Sequence, residues 1–217
     1  MKKATLLTVL MTMGTLLLAQ NVEIVGKAKI TVMDPATTSA QQVAREADGT
    51  LSLMSSTTTY AIGDFVQGGV VFWVSANAEH GKVVSIYDIG AISWSNITDT
   101  AIGVSAMSDI NGAGNTVAII MQSGHTSSAT RHCADLAYGG YDDWYLPSKN
   151  ELNDVYLNKA TINTTATANG GEVFANAFYW SSTEFDSDSA WVQRLSNGLQ
   201  GNVSKASNLR VRAVRAF

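Results

Sequence analysis

Apolar and polar positions change their spacing several times along the 217-residue chain, and each change marks an element. After Lys2 and Lys3, the stretch from Ala4 to Ala19 is mostly apolar, interrupted by Thr and one Gly. A basic start, a short apolar run and a small residue make the pattern of a secretory signal peptide. The run is marginal as a permanent span, which needs about 20 strongly apolar residues. Cleavage is expected at Ala19, with an uncleaved anchor as the alternative, and no Cys follows that would carry a lipid. In 21–59, VEIVGKAKITVMD reads as a strand pair broken at Gly26. VAREADGTLSLM reads as a hairpin turning at Asp48-Gly49. Ser55 to Thr59 is a polar hinge.

From Tyr60 the chain changes character. Gly68-Gly69 precedes VVFWVS, NAEHG makes a turn, and KVVSIYDI returns as the second arm of a hairpin. A Gly/Asn/Ser-rich loop is expected over 95–115, then short helices around 116–122 and 128–138, the second capped by Ser127 or Ser128. Ser148-Lys149-Asn150-Glu151 after Pro147 is a capping box. It predicts a helix to about Asn158 that buries Leu152, Val155 and Tyr156, with Trp144 and Leu146 just before it pointing into the core. YWSSTE, AWVQRL and LRVRAVRAF read as strands, with a tight turn at Asn197-Gly198. The expected class is α+β, an antiparallel sheet with a few short helices. Neither the alternation of a parallel doubly wound sheet nor a phosphate-binding glycine loop is present.

Composition sharpens the boundaries. All 18 aromatic residues lie at or after Tyr60, so 21–59 has too little apolar surface to fold alone and reads as a β-rich stalk or oligomerisation arm. The expected organisation is a signal peptide (1–20), this arm (21–59) and a domain (60–217). Fourteen Lys+Arg against 18 Asp+Glu give a net charge of −4, so the overall field does not attract nucleic acid. One cysteine, Cys133, excludes an internal disulfide and a Cys-rich zinc site. His80, His125 and His132 are the only histidines, and no metal-binding spacing joins them. His132 and Cys133 are adjacent on a helix, about 100° apart, and do not readily act on one atom. Carboxylate pairs such as Glu151/Asp154 are explained by capping or solvation, so no enzyme is expected.

The strings DWYLPSKNEL (143–152), YWSSTEFDSDSAWVQRLSNG (179–198) and VRAVRAF (211–217), with YAIGDFVQGGVVFWV (60–74), resemble the Lcl C-terminal domain family, named for a bacterial collagen-like adhesin. More distantly, the order of these strings resembles C-type-lectin-like and formylglycine-generating folds. The resemblance implies a lectin-like domain on an exported stalk, at the cell surface or secreted, and a homotrimer. It also implies a polysaccharide or surface glycoprotein as partner, since the adhesin after which the family is named binds sulfated glycans. A structural surface or fibre subunit that binds another protein is the alternative. The collagen-like Gly-X-Y repeat is missing from this chain, so a trimer would need another origin.

Against that background, residues 194–217 hold Arg194, Lys205, Arg210, Arg212 and Arg215 and no acid. In one continuous strand Arg210 and Arg212 share a face. They either bind sulfate or carboxylate groups or pair with Glu184, Asp186 or Asp188. Those three carboxylates alternate: they form a solvated acidic loop, or in an extended stretch they project to one side as oxygen ligands for Ca²⁺. C-type lectins place calcium ligands at a similar point, although their sugar-binding motifs are missing here. Trp191, with Trp94, Tyr138, Tyr141 and Tyr179, offers a flat face for a sugar ring if it is not core. Asn197, Asn202 and Asn208 lie in late loops and offer hydrogen bonds to hydroxyls, although turn chemistry explains Asn197 equally well.

Overall fold

The computed structural model describes residues 57–217 and, before them, strands β1 (Gln42–Arg45) and β2 (Leu51–Met54). The chain divides into two units, Met1–Ser56 and Thr57–Phe217, each taken by itself. In the first, β1 and β2 pair antiparallel with Gln42 opposite Met54 and Arg45 opposite Leu51, the hairpin pairing expected. The Asp48-Gly49 turn, the strand pair at Gly26 and the signal-type segment lie outside the described residues.

In chain order the second unit runs β3 (Phe65–Val66), β4 (Gly69–Val74), β5 (Gly81–Val84), β6 (Gly90–Ser93) and a 3-10 turn at Val104–Ala106. Then come α1 (Gly112–Ile120), α2 (Ala129–Ala134), α3 (Lys149–Leu157) and α4 (Lys159–Ala168). It ends with β7 (Phe178–Glu184), β8 (Ser189–Arg194), β9 (Gln200–Ser204), β10 (Asn208–Val211) and β11 (Val214–Ala216). One sheet has the order β11-β5-β4-β3 and is antiparallel throughout. The other has the order β6-β10-β7-β8-β9. In it β10 inserts between β6 and β7, antiparallel to the first and parallel to the second, with Arg210 opposite Tyr179. The fold is thus α+β with mixed rather than wholly antiparallel pairing.

The four-stranded sheet is buried on both faces, which explains the unbroken apolar run in β4. Alternate residues point opposite ways. Val71 and Val83 join one core with Trp94, Trp144, Leu146 and Trp180. Val70, Phe72 and Val84 join a second with Ile86, Tyr145, Leu152 and Tyr179. Each buried indole donates its N–H to a backbone carbonyl: Trp94 to Ser181 at 2.8 Å, Trp144 to Tyr138 at 3.2 Å and Trp180 to Ile92 at 2.9 Å. Satisfied in this way, each large side chain keeps most of its burial energy, roughly 1.5–3 kcal/mol.

Three caps set the helices. Asn111 accepts from Gly114 N–H at α1, Ser128 from Arg131 N–H at α2, and Ser148 and Glu151 form the full capping box at α3. Leu152 and Val155 are buried as expected, and Tyr156 is half-buried. Several elements differ from expectation. α1 begins inside the Gly-rich loop, at the Asn111 cap, and a Cβ on Gly112 would fall 2.4 Å from Glu151 Oε2, an approach only glycine allows. α4 forms from a run rich in Thr because Ile162 and Ala166, one turn apart, are fully buried. β6 and β9 are short outer strands without alternation, held by the neighbour each pairs with. LRVRAVRAF is two strands: β10 and β11 belong to different sheets, and Arg212-Ala213 crosses between them.

Candidate functional site

That crossing decides the fate of the basic stretch. Lys205 is fully buried, its Nζ 2.7 Å from Glu184 Oε1 and 2.7 Å from the Ser187 carbonyl. Arg212 turns inward, donates Nε to Asp88 Oδ1 at 2.6 Å and lies 4.0 Å from the centre of the Phe174 ring. Arg215 holds Asp143 through Nε and Nη2 at 2.6 and 3.0 Å, with its guanidinium 3.8 Å over Tyr141. Arg194 is half-buried over Phe178. Arg210 alone of the five is exposed, with Nη1 3.6 Å from Asp88 Oδ2. The continuous basic strip therefore does not form, and Lys205 and Arg212 present no charge to solvent. Of the partners expected for these cations only Glu184 serves. Asp88 and Asp143, which lie far away in sequence, supply the rest.

The alternating carboxylates do not converge either. Glu184 ends β7 as a buried side chain whose oxygens accept from Lys205 and from the N–H groups of Ile102 and Gly103. Asp186 lies in the β7–β8 turn, where Oδ1 accepts from the Ser189 hydroxyl at 2.6 Å and from the Asp188 and Ser189 N–H groups. The Ser189 hydrogen bond holds the Asp186 carboxyl below the usual carboxylate range. Among the described residues, no group of three or more His, Cys, Asp or Glu side chains is arranged to hold a metal ion. Glu184 is thus engaged by Lys205 and the 102–103 N–H groups, and Asp186 Oδ1 by its own turn.

Trp191 is half-buried on β8, with Lys149 Nζ 3.8 Å over its ring and Phe185 edge-on at 5.4 Å. Asn197 is exposed and accepts from Leu199 N–H at 3.2 Å, which is turn chemistry. Trp94 and Tyr179 are core. His125 Nε2 lies 2.8 Å from Ser128 Oγ, but that hydroxyl is the buried cap of α2. Burial, with Arg131 nearby, lowers the His125 pKa. Burial pushes the Cys133 thiol up, which makes it a core residue rather than a nucleophile.

An open cleft lies around Tyr138, which lines two hollows. One, of about 250 Å³, is lined by Ser85, Tyr87, Asp88, Ile89, Leu136 and Tyr138. The other, of about 410 Å³, is lined by 137–142, including Tyr138, Tyr141 and Asp142. Tyr138 and Tyr141 exchange N–H to carbonyl bonds at 2.9 and 3.1 Å across Gly139-Gly140, with φ of 65° and 87° at the two glycines. A Cβ on Gly139 would fall 2.4 Å from Gly68 Cα, so this turn needs glycine twice over. Tyr87 meets Tyr138 edge-on at 5.8 Å and donates its hydroxyl to the Gly170 carbonyl at 2.8 Å. Burial, with the Tyr87 phenol beside it, raises the Tyr138 pKa, so Tyr138 is a neutral donor at physiological pH. Asp88 is fixed by Arg212 and by the Tyr179 hydroxyl, which donates at 2.8 Å. Tyr87 and Asp88 escape sequence reasoning because they end what looks like one long strand. Tyr-Gly-Gly-Tyr, a two-glycine turn between aromatics, was the available signal.

A fimbrial protein from Bacteroides ovatus ATCC 8483 has a similar fold, with a TM-score of 0.52 at 18% identity over 82% of this chain and 49% of that one. This chain thus spans about half the length of that protein. No curated protein matches it. Among the described residues no helix is long and apolar enough to cross a membrane. The family model described as the Lcl C-terminal domain matches residues 90–215, from β6 to β11, and takes in the capping-box string and the β7–β8 hairpin. The chain belongs to the Lcl C-terminal domain family.

Proposed function

We propose that this protein is an exported, non-enzymatic adhesion module of a bacterial surface whose C-terminal domain recognises glycans. Membership of a family named for an adhesin supports this reading, as does a fold similar to that of a protein described as fimbrial. The observation that carries it is the Tyr138 cleft, an open hollow that gathers three tyrosine rings, two carboxylates and bare glycine backbone. Flat apolar faces beside fixed polar atoms suit sugar rings. A lectin-like domain acting in this way needs several heads to turn weak contacts into useful affinity. The segment 21–59 is the proposed oligomerisation arm, with a trimer as the expected assembly. The test is a glycan array probed with wild type and Tyr138→Ala, read together with thermal melts. Binding to a defined glycan group that drops at least about tenfold in the variant, roughly 1.4 kcal/mol, supports the reading. An array without any positive glycan defeats it.

A second reading, a fibre subunit that binds protein, is favoured by one surface. Ile110, Val117 and Met121 are 71%, 57% and 77% exposed and follow one face of α1 and its approach. On this reading Val117→Asp lowers self-association in sedimentation runs and leaves the glycan array unchanged.

A further inference from the structure

The charges around the Tyr138 cleft decide which glycans it can take, given that the domain is an adhesion module. Three guanidinium groups lie around it, and carboxylates take each of them. Arg212 and Arg210 take Asp88, at 2.6 and 3.6 Å, and Arg215 takes Asp143 at 2.6 Å. Two further carboxylates stand beside these: Glu172, which accepts from the Asp88 N–H at 2.8 Å, and Asp142, next in sequence to Asp143. The residues lining the two hollows include Asp88 and Asp142 and no cation. A sulfate or uronate placed there would face the Asp88 and Asp142 carboxylates, with Arg212 and Arg215 hydrogen-bonded to Asp88 and Asp143 and the exposed Arg210, 3.6 Å from Asp88, as the guanidinium left to meet an anion.

What remains unengaged is neutral-sugar chemistry. Among the described residues, no hydrogen bond uses the hydroxyl of Tyr138 or Tyr141, or the carboxylate of Asp142, which is exposed. Nothing lies within 4 Å of the place where a side chain on Gly140 would start, so a ligand can approach the peptide groups of that turn. Phenol hydroxyls both donate and accept, and a carboxylate accepts from two adjacent sugar hydroxyls. We propose that this cleft is a subsite for an uncharged pyranose, with its ring against Tyr138 and its hydroxyls shared among Asp142, Tyr141 and the Gly139-Gly140 backbone.

The experiment passes the full chain over immobilised mannan, galactan and glucan, with heparin and chitosan as anionic and cationic counterparts. It is run at low salt and at about 0.5 M salt, where the screening length is only a few ångströms. Retention is expected on at least one neutral polysaccharide, changing less than about twofold with salt. Asp142→Ala and Tyr138→Phe are expected to weaken it at least about fivefold, whereas Asp99→Ala, an exposed acid elsewhere, leaves it intact. Both test variants keep the tyrosine packing and should melt with wild type. Retention on heparin or chitosan alone, lost at high salt, overturns the neutral subsite but leaves the adhesion reading standing. Neutral binding indifferent to both variants overturns the assignment to this cleft. Failure on every polysaccharide overturns this inference and the adhesion reading together.

Discussion

Lys205 shows how a single residue's role turns on its surroundings. Beside Arg210 and Arg212 in the sequence it reads as part of a basic patch, yet it has no exposed surface. Its ammonium ties the 99–103 loop to the end of β7, because Glu184 accepts from Lys205 and from the N–H groups of Ile102 and Gly103. Removing one member of such a pair leaves the other charge buried without compensation. Lys205→Met is expected to lower stability by about 3–5 kcal/mol in urea titration, and Lys205→Met/Glu184→Leu to recover part of that loss. An equal or larger loss in the double variant would mean that the backbone contacts of Glu184, not its charge, hold the loop. Residue types that sequence reading assigned by local chemistry, such as the Ser148–Glu151 cap and the turn at Asn197, sit as expected. Of the pairings expected from charge, Glu184 with a C-terminal cation holds and those of Asp186 and Asp188 do not, because charge finds its partner through space.

At the scale of elements, α3 was the most legible. Its cap, its buried face and its start all follow from consecutive residues. Glu151 also does more than cap: it accepts from Lys82 at 2.6 Å, from the Tyr145 hydroxyl at 3.0 Å and from Gly112 N–H at 3.2 Å. Ser148→Ala removes one cap hydrogen bond and is expected to lower stability by about 1 kcal/mol. Glu151→Ala, which strips a buried hub of three further contacts, should cost clearly more. Matched denaturant midpoints for the two variants would contradict the hub. α4, β6 and β9 were illegible for the opposite reason. Their residues have weak propensity for the state they adopt, and packing or a paired neighbour overrides it.

For the whole molecule, the perturbed groups set the response to acid. Arg215 holds Asp143 below the usual carboxylate range, and Ser189 does the same for Asp186. Both contribute fully above the unfolded value near 4, and the contribution is lost as pH falls through the lower folded values. Burial lowers His125 as well, so its share begins to fade below the ordinary histidine value of about 6.5. Asp154, raised by burial, opposes the trend weakly. The melting temperature should therefore decline from near-neutral pH into acid and fall most steeply below about pH 4. Asp143→Asn should melt lower than wild type at pH 7 and converge with it in strong acid; a constant gap across the range would remove Arg215 as the cause. By itself the sequence determined the family, the α+β class, the β4–β5 hairpin, the β7 and β8 strands with the Asn197-Gly198 turn, and the α3 cap, because capping, turn chemistry and alternation act between residues a few positions apart. Only the tertiary structure decided which cations face solvent, that one C-terminal strand becomes two, and that Tyr87, Asp88, Tyr138 and Tyr141 share a cleft. Those outcomes depend on contacts between residues tens of positions apart, where burial and charge pairing outweigh local preference.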